Sequence, residues 1–331
     1  MHSTAEIMTP FDTIRQTLAP DLKRLNDRIV EALDSPNALM NSVVHHYLEK
    51  KGKQIRPILV LLSARLLGRV TENVLSGAVA VELLHNASLI HDDVVDDTLV
   101  RRGNDTINGL WDNHLAVLVG DFFLSTSLRQ GVATGDIRIL DSISSLGRLL
   151  SIGELDEIYS ARYNHLDEEA YFNIIYRKTA SLFVSCVEVG AYGAGVDDDR
   201  LDTLREFARL LGLCFQIKDD IFDYFSDEKI GKPTGNDLRE GKITLPLLHV
   251  LRDDTLPQHA EMVALARKEG LSAEEIDTLI AYAVDHGGIR YAEQVMDSMR
   301  SRAVELIGRF PDSPVRQAFI SLINFIIERE H

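Results

Sequence analysis

Apolar residues return at intervals of three and four over most of this chain. Ile58, Leu61 and Leu62 lead to Arg65 and Leu66, and Val79, Leu83, Leu84, Ala87 and Ile90 repeat the spacing one segment later. Such a period places the apolar side chains on one face of an α-helix. Proline is absent between Pro57 and Pro233, and the Asn-Gly pair in that stretch, Asn108-Gly109, follows polar residues rather than joining two alternating segments. The pattern predicts helices at roughly 10–33, 38–50, 55–67, 71–98, 112–133, 136–161, 167–194, 199–225, 243–253, 258–269, 272–286, 288–308 and 312–329. Ser35-Pro36-Asn37-Ala38 and Asp312-Ser313-Pro314 read as helix starts. No linker, low-complexity tract or short repeat interrupts the series. The expectation is an all-α chain, one domain over residues 1–331, built as a helical bundle around a central cavity. Ser226 to Ile243 is the one long polar loop, a size that in a helical domain is usually functional or disordered.

Composition narrows the partners. With 331 residues, 45% of them hydrophobic, the chain can bury a large core. A net charge of −16 argues against nucleic acid, which needs a basic face. It leaves room for a small anion held by a local cluster of Lys and Arg, or by metal ions on carboxylates. Cys186 and Cys214 sit in apolar runs without a CxxC partner, as reduced core residues of a cytoplasmic protein do. The N-terminal residues lack the basic-then-apolar order of a signal peptide. No stretch is expected to approach the roughly 18 uncharged apolar residues of a membrane span, so no stable span is expected.

Charge then appears in an unexpected place. The apolar run "VELLHNASLI" ends in "HDDVVDD", with Asp92, Asp93, Asp96 and Asp97 at the C-terminal end of a helix. Asp92 and Asp96 stack one turn apart and repel, and the helix dipole disfavours anions at that end. A solvated acidic helix end is the bland explanation. A second cluster weakens it: "FQIKDDIFDYF" places Asp219, Asp220 and Asp223 after another apolar run, with the same DDxxD spacing. Carboxylates in this arrangement suit Mg²⁺, which takes one or two of them together with substrate phosphates. The two clusters are expected to be halves of one polynuclear site.

A metal-and-phosphate site also needs cations, and the chain offers them in order. Lys53 and Arg56 precede a helix, Arg101 and Arg102 follow the first cluster, Lys178 and Thr179 lie mid-chain, and Lys232 and Lys242 follow the second cluster. Arg grips phosphate with a planar fork and Lys acts as a movable point charge. His85 lies two turns before Asp92 on roughly the same face and could donate to a phosphate; taken alone it reads rather as a satisfied core histidine.

Taken in sequence, Gly52-Lys53-x-x-Arg56-Pro57, Asp92-Asp93-x-x-Asp96 with Arg101-Arg102-Gly103, Gly120-Asp121, Lys178-Thr179, Gln216-x-x-Asp219-Asp220-x-x-Asp223, Gly231-Lys232 and Gly241-Lys242 resemble the trans-isoprenyl diphosphate synthases, or polyprenyl synthetases. The likeness runs from about Lys50 to the C-terminus. One departure is "GELDE", Gly153 to Glu157, where relatives often end in Gln. The resemblance implies the isoprenoid synthase fold and a prenyltransferase that condenses isopentenyl diphosphate with an allylic diphosphate. It implies that Asp92, Asp93, Asp96, Asp219, Asp220 and Asp223 bind about three Mg²⁺ ions. Arg101, Lys178, Lys232 and Lys242 would grip the allylic diphosphate, Lys53, Arg56, His85 and Arg102 would bind isopentenyl diphosphate, and Lys178, Thr179 and Gln216 would stand at the chemistry. A homodimer is implied as well.

Product length turns on Ala87 and Ser88, just before the first aspartates. By family analogy the growing tail passes there, and small side chains leave the path open for a further turn, about 5.4 Å. Ser125 to Ser127 on the neighbouring segment are small too. The expectation is a medium or long product of roughly six to eight isoprene units (C30–C40), a quinone side chain. The alternative is that Ala and Ser simply permit close helix packing, in which case a short-chain synthase remains open. A class I terpene cyclase would not need the paired lysines and arginines, and a non-catalytic synthase subunit would not keep both aspartate motifs.

Overall fold

The computed structural model describes residues 10–49, 52, 54–101, 103–163, 166–225 and 234–329. In chain order the first elements are α1 (Pro10–Ala32), α2 (Ala38–Leu48), α3 (Ile55–Leu67), α4 (Glu72–Val95), β1 (Val100–Arg101), β2 (Asn104–Asp105), α5 (Ile107–Leu110) and α6 (Asn113–Ala133). They are followed by α7 (Ile137–Tyr163), α8 (Glu168–Ile175), a π-helical turn (Tyr176–Ala180), α9 (Ser181–Gly193) and α10 (Asp199–Phe222). The last are α11 (Asn236–Arg239), α12 (Leu245–Leu251), α13 (His259–Ala266), α14 (Ala273–Asp285), α15 (Gly288–Ile307) and α16 (Pro314–Glu328). The fold is all-α, as the apolar period predicts.

Helix starts follow local chemistry. Asn37 accepts the Met40 amide at 3.0 Å, Thr71 the Val74 amide at 3.2 Å and Asp112 the Leu115 amide at 2.8 Å. Each satisfies an amide that has no partner inside its helix. Ser272 and Glu275 form a reciprocal capping box at the start of α14, and Ser313 accepts the Arg316 amide where Pro314 opens α16.

The chain forms two compact units. The first comprises residues Met1–Gly147, Leu182–Ala208 and Leu306–Phe325. Its centre is α4, which packs on α6, α3 and α1. Leu75, Val79 and Leu83 of α4 are fully buried, as are Phe123 of α6 and Ile58 and Leu61 of α3; burying each such side chain contributes roughly 1.5–3 kcal/mol. By length and composition α4 could cross a membrane, contrary to the expectation from sequence, and two-thirds of its most apolar window is buried among its neighbours. The second unit comprises Arg148–Ser181, Arg209–Glu305 and Ile326–His331. There Leu247 and Val250 of α12 meet Ile276, Leu279 and Ala283 of α14, with Met262 of α13 and Tyr224 closing the cluster.

Three local features depart from the periodicity. The helix expected over 71–98 stops at Val95, Asp97 takes a left-handed φ of 49°, and the chain turns into the two-residue hairpin of β1 and β2. Stacked like charges and an unfavourable dipole both act against further helix there. A continuous helix over 167–194 is replaced by α8, the π turn and α9, and the long polar loop contains α11. Helices of one turn and strands of two residues are too short to leave a periodic signature.

Candidate active site

In the first unit the site residues cluster at the end of α4. Asp93 is buried and accepts from Arg101 Nε at 2.6 Å. Arg101 reaches it because the chain reverses: Thr98 N donates to Asp93 O, and Asn108 Nδ2 donates to the carbonyls of Asp93 and Thr98 at 3.1 Å. Burial raises the Asp93 carboxyl above its usual range, and the Arg101 charge and hydrogen bond pull it partly back. Asp92 is half-buried and Asp96 is exposed as the helix cap. Close approach of α6 needs Gly120, since a Cβ there would run into the His91 ring. His85 is buried, and the half-buried Arg56 faces the field of Glu82, whose carboxyl burial pushes up and Arg56 pulls down. Ala87 is buried, whereas Ser88 is half-buried with Oγ donating to His85 O at 2.9 Å. Ser127 donates to Ala80 O at 2.6 Å, so this small residue of α6 serves helix packing, while Ser125 is exposed.

The second unit holds a cavity of about 210 Å³, lined among others by Glu157, Tyr171, Lys178, Gln216, Asp220, Asp237 and Lys242. Lys178 and Thr179 sit on the π turn, a wide turn common at functional sites. Gly153 lets α7 lie against that turn: a Cβ there would stand 2.8 Å from Lys178 Cγ and Arg177 Cβ. A relay of hydrogen bonds follows. Thr179 Oγ1 donates to Gln216 Oε1 at 2.7 Å, Gln216 Nε2 to Asp220 Oδ1 at 2.8 Å, and Tyr171 Oη to Asp220 Oδ2 at 2.6 Å. Burial pushes the Asp220 carboxyl up to about 7 against the pull of those two donors, with Asp219 and Glu157 adding to the rise. Asp223 spends both oxygens on the amides of Asn236 and Asp237 at 3.0 Å, anchoring α11. Asp219 accepts from Arg329 at 2.6 Å.

The lysines stand in a cage of carboxylates. Lys178 Nζ lies 2.6 Å from Glu157 and 2.8 Å from Glu154; Lys242 Nζ lies 2.9 Å from Glu157 and 2.6 Å from Glu240. Burial lowers the Lys178 ammonium's affinity for its proton, but the glutamates reverse this and leave it above the usual range. Lys242 is raised by the same balance.

Lys53, Arg102 and Lys232 lie outside the described residues. The sequence reading missed Glu154, Glu157, Asp237, Tyr171 and Arg329. The GELDE segment beside its glycine was a signal for the first two. Arg329 gave none: it stacks on the Phe215 ring at 4.2 Å and holds Asp219 from 110 residues away. For a hard cation the donor chemistry fits, since the aspartates offer only carboxylate oxygens, and Asp219 already receives a cationic stand-in from Arg329. Among the described residues, however, no three such groups stand ready around one point.

Hard-cation carboxylates and lysines in a helical cavity are the equipment of an enzyme for phosphorylated substrates. The chain belongs to the polyprenyl synthetase family, a family of prenyltransferases, which it matches over residues 37–283. It is 34% identical to the octaprenyl diphosphate synthase of Haemophilus influenzae over 97% of this chain and 98% of that one. The fold superposes on a decaprenyl diphosphate synthase from Rhodobacter capsulatus with a TM-score of 0.90 at 33% identity, covering 97% of this chain and 100% of the other. A polyprenyl synthase from Caulobacter crescentus, complexed with calcium and isoprenyl diphosphate, gives a TM-score of 0.89 at 30% identity over 97% and 98%. Further relatives carry names from short chain isoprenyl to nonaprenyl diphosphate synthase.

Proposed function

We propose that this protein is a trans-polyprenyl diphosphate synthase that adds isopentenyl diphosphate to an allylic diphosphate and stops at a medium or long product, about C30–C40. The observation that carries the reading is the cavity in which Lys178, Lys242, Gln216 and Asp220 converge. Ionisation of the allylic C–O bond puts growing negative charge on the leaving diphosphate. Lys178 and Lys242 meet that charge with fixed ammonium groups, and fixed donors in a cavity are worth far more than the same groups in water. Arg101 is assigned to the same diphosphate by role. Thr179 and Gln216 hold each other in place, which fixes the polar wall the allylic carbons would pass. Arg56 and His85, with Lys53 and Arg102, would take isopentenyl diphosphate and align its double bond for attack; the new C–C bond leaves a cation that would shed a proton to the departing diphosphate. Divalent cations, read here as about three Mg²⁺, would supply further positive charge at the aspartates when bound.

The test is incubation with Mg²⁺, isopentenyl diphosphate and geranyl, farnesyl or geranylgeranyl diphosphate, followed by product sizing. No condensation with any primer rejects the reading. A product of three or four units favours the short-chain alternative. Ala87→Phe and Ser88→Phe are expected to shorten the product; unchanged length in both removes these positions from length control.

The protein is further proposed to be a cytoplasmic homodimer. Free, buried Cys186 and Cys214 support the compartment. For the dimer, α6 carries exposed Val117, Leu118, Leu128 and Val132, an apolar face suited to a second copy. Light scattering checks the mass, and a monomer at micromolar concentration contradicts the assignment.

A further inference from the structure

Glu157 has no role in the reaction as described above, yet it is the group on which both cavity lysines converge. Lys178 comes from the π turn and Lys242 from the segment before α12, and one carboxylate takes both, at 2.6 and 2.9 Å. Two ammonium groups brought this close repel unless an anion stands between them. An ammonium has three N–H donors. Among the described residues Lys178 gives one to Glu157 and one to Glu154, and Lys242 gives one to Glu157 and one to Glu240. Each therefore keeps a third. Glu157, Lys178 and Lys242 all line the cavity.

Charge adds a second consequence. Two ammonium groups face three carboxylates, and Asp220 and Asp237 line the same cavity. The lysines by themselves do not make the cavity attractive to an anion. The carboxyl of Glu157 stays ionised: burial raises it, but Lys178 and Lys242 bring it below its usual range.

We propose that Glu157 is a positioning residue that clamps Lys178 and Lys242 into a paired claw for a diphosphate, and that its charge makes the claw accept the anion only together with divalent cations. The proposal rests on the assignment of these lysines to a diphosphate. It places the metal requirement partly on a residue that is not an aspartate of either motif. Glu157 holds the spare N–H of each lysine toward the cavity, and it prevents diphosphate from entering before the compensating cations.

Calorimetric titration of inorganic pyrophosphate into the full chain, in EDTA and in saturating Mg²⁺, reads both halves. Glu157→Gln keeps the shape and removes the charge. It is expected to bind pyrophosphate in EDTA at least tenfold more tightly than the parent, with a change below threefold in Mg²⁺, and to lose kcat as the lysines drift apart. Glu157→Asp keeps the charge but falls short of the lysines; it is expected to leave the EDTA affinity unchanged and to lower kcat about as much. An EDTA affinity of Glu157→Gln within twofold of the parent, or a parental kcat in Glu157→Asp, overturns the proposal. Lys178→Ala and Lys242→Ala separate the two levels. If neither weakens pyrophosphate binding in Mg²⁺, the lysine assignment itself is wrong. If both weaken it tenfold while Glu157→Gln gains nothing in EDTA, the assignment stands and only the role of Glu157 falls.

Discussion

The two aspartate motifs share a spacing and differ in how their charge is neutralised. At the end of α4, Asp93 meets Arg101 eight residues away, across the turn that leads into β1, and Asp96 caps the helix at the surface. In the second unit every aspartate of the motif has a partner 13 or more residues away. Asp219 is held by Arg329, Asp220 by Tyr171 and Gln216, and Asp223 by the amides of α11. Asp220 is buried among the hydrogen bonds from Tyr171 and Gln216, and altering it leaves those polar groups unsatisfied. The same sequence pattern thus gives one motif paired close by in the chain and one tied into a network from several elements.

The largest effect expected is on turnover. Asp93→Ala and Asp219→Ala should each lower kcat by about 10²–10³-fold, the cost of losing one well-placed electrostatic group, with the helical circular dichroism intact. An effect confined to one variant would show that the motifs are not equal partners in the chemistry.

Gly153→Ala sharpens the contrast from the side of the long-range network. Its Cβ would press on Lys178 Cγ at 2.8 Å and on Lys178 N at 3.0 Å. A loss of about 1–3 kcal/mol is expected on chemical denaturation, together with a drop in kcat. Parental kcat would mean that the π turn tolerates displacement.

Burial raises a carboxyl in each motif, Asp93 and Asp220, and at Asp220 the effect reaches the neutral range. Asp220 titrates near 7 in the fold, against 3.8 for an ordinary carboxyl. The folded state therefore binds this proton more tightly than the unfolded chain does. The stability Asp220 contributes is full below about 4 and is lost as pH rises through about 7. Melting of the metal-free protein and of Asp220→Asn from pH 4 to 8 should show the parent losing ground to the variant with rising pH. A constant difference contradicts the assigned shift.

Arg329→Ala should give the smallest change. Its partner Asp219 is 41% exposed, so solvent screening holds the ion pair itself to roughly 1 kcal/mol, a couple of degrees in Tm; Arg329 is 11% exposed and stacks on Phe215, and the lost packing adds to that. Added Mg²⁺ should narrow the difference by taking over Asp219.

These contrasts explain what the sequence could reveal. The helices and the burial of α4 depend on residues a few positions apart, so the apolar period exposes them; the Asp93–Arg101 pair, made where the chain turns after α4, was not foreseen, since the motif order assigned the two residues to different ligands. The lysine cage joins Glu154 and Glu157 to Lys178 and Lys242 across 21 residues or more, and Arg329 meets Asp219 across 110. No local pattern encodes such meetings. The end of α4 at Val95 was readable in principle, since the repulsion that argues for a cation also argues against another turn of helix.

The central claim is that Lys178 and Lys242 receive the allylic diphosphate. Steady-state kinetics of Lys242→Ala, varying each substrate in turn at saturating Mg²⁺, test it most directly. The account predicts a KM for the allylic diphosphate raised at least tenfold, a KM for isopentenyl diphosphate within twofold of the parent, and a lower kcat. A rise confined to isopentenyl diphosphate, or no change in either KM, would contradict it.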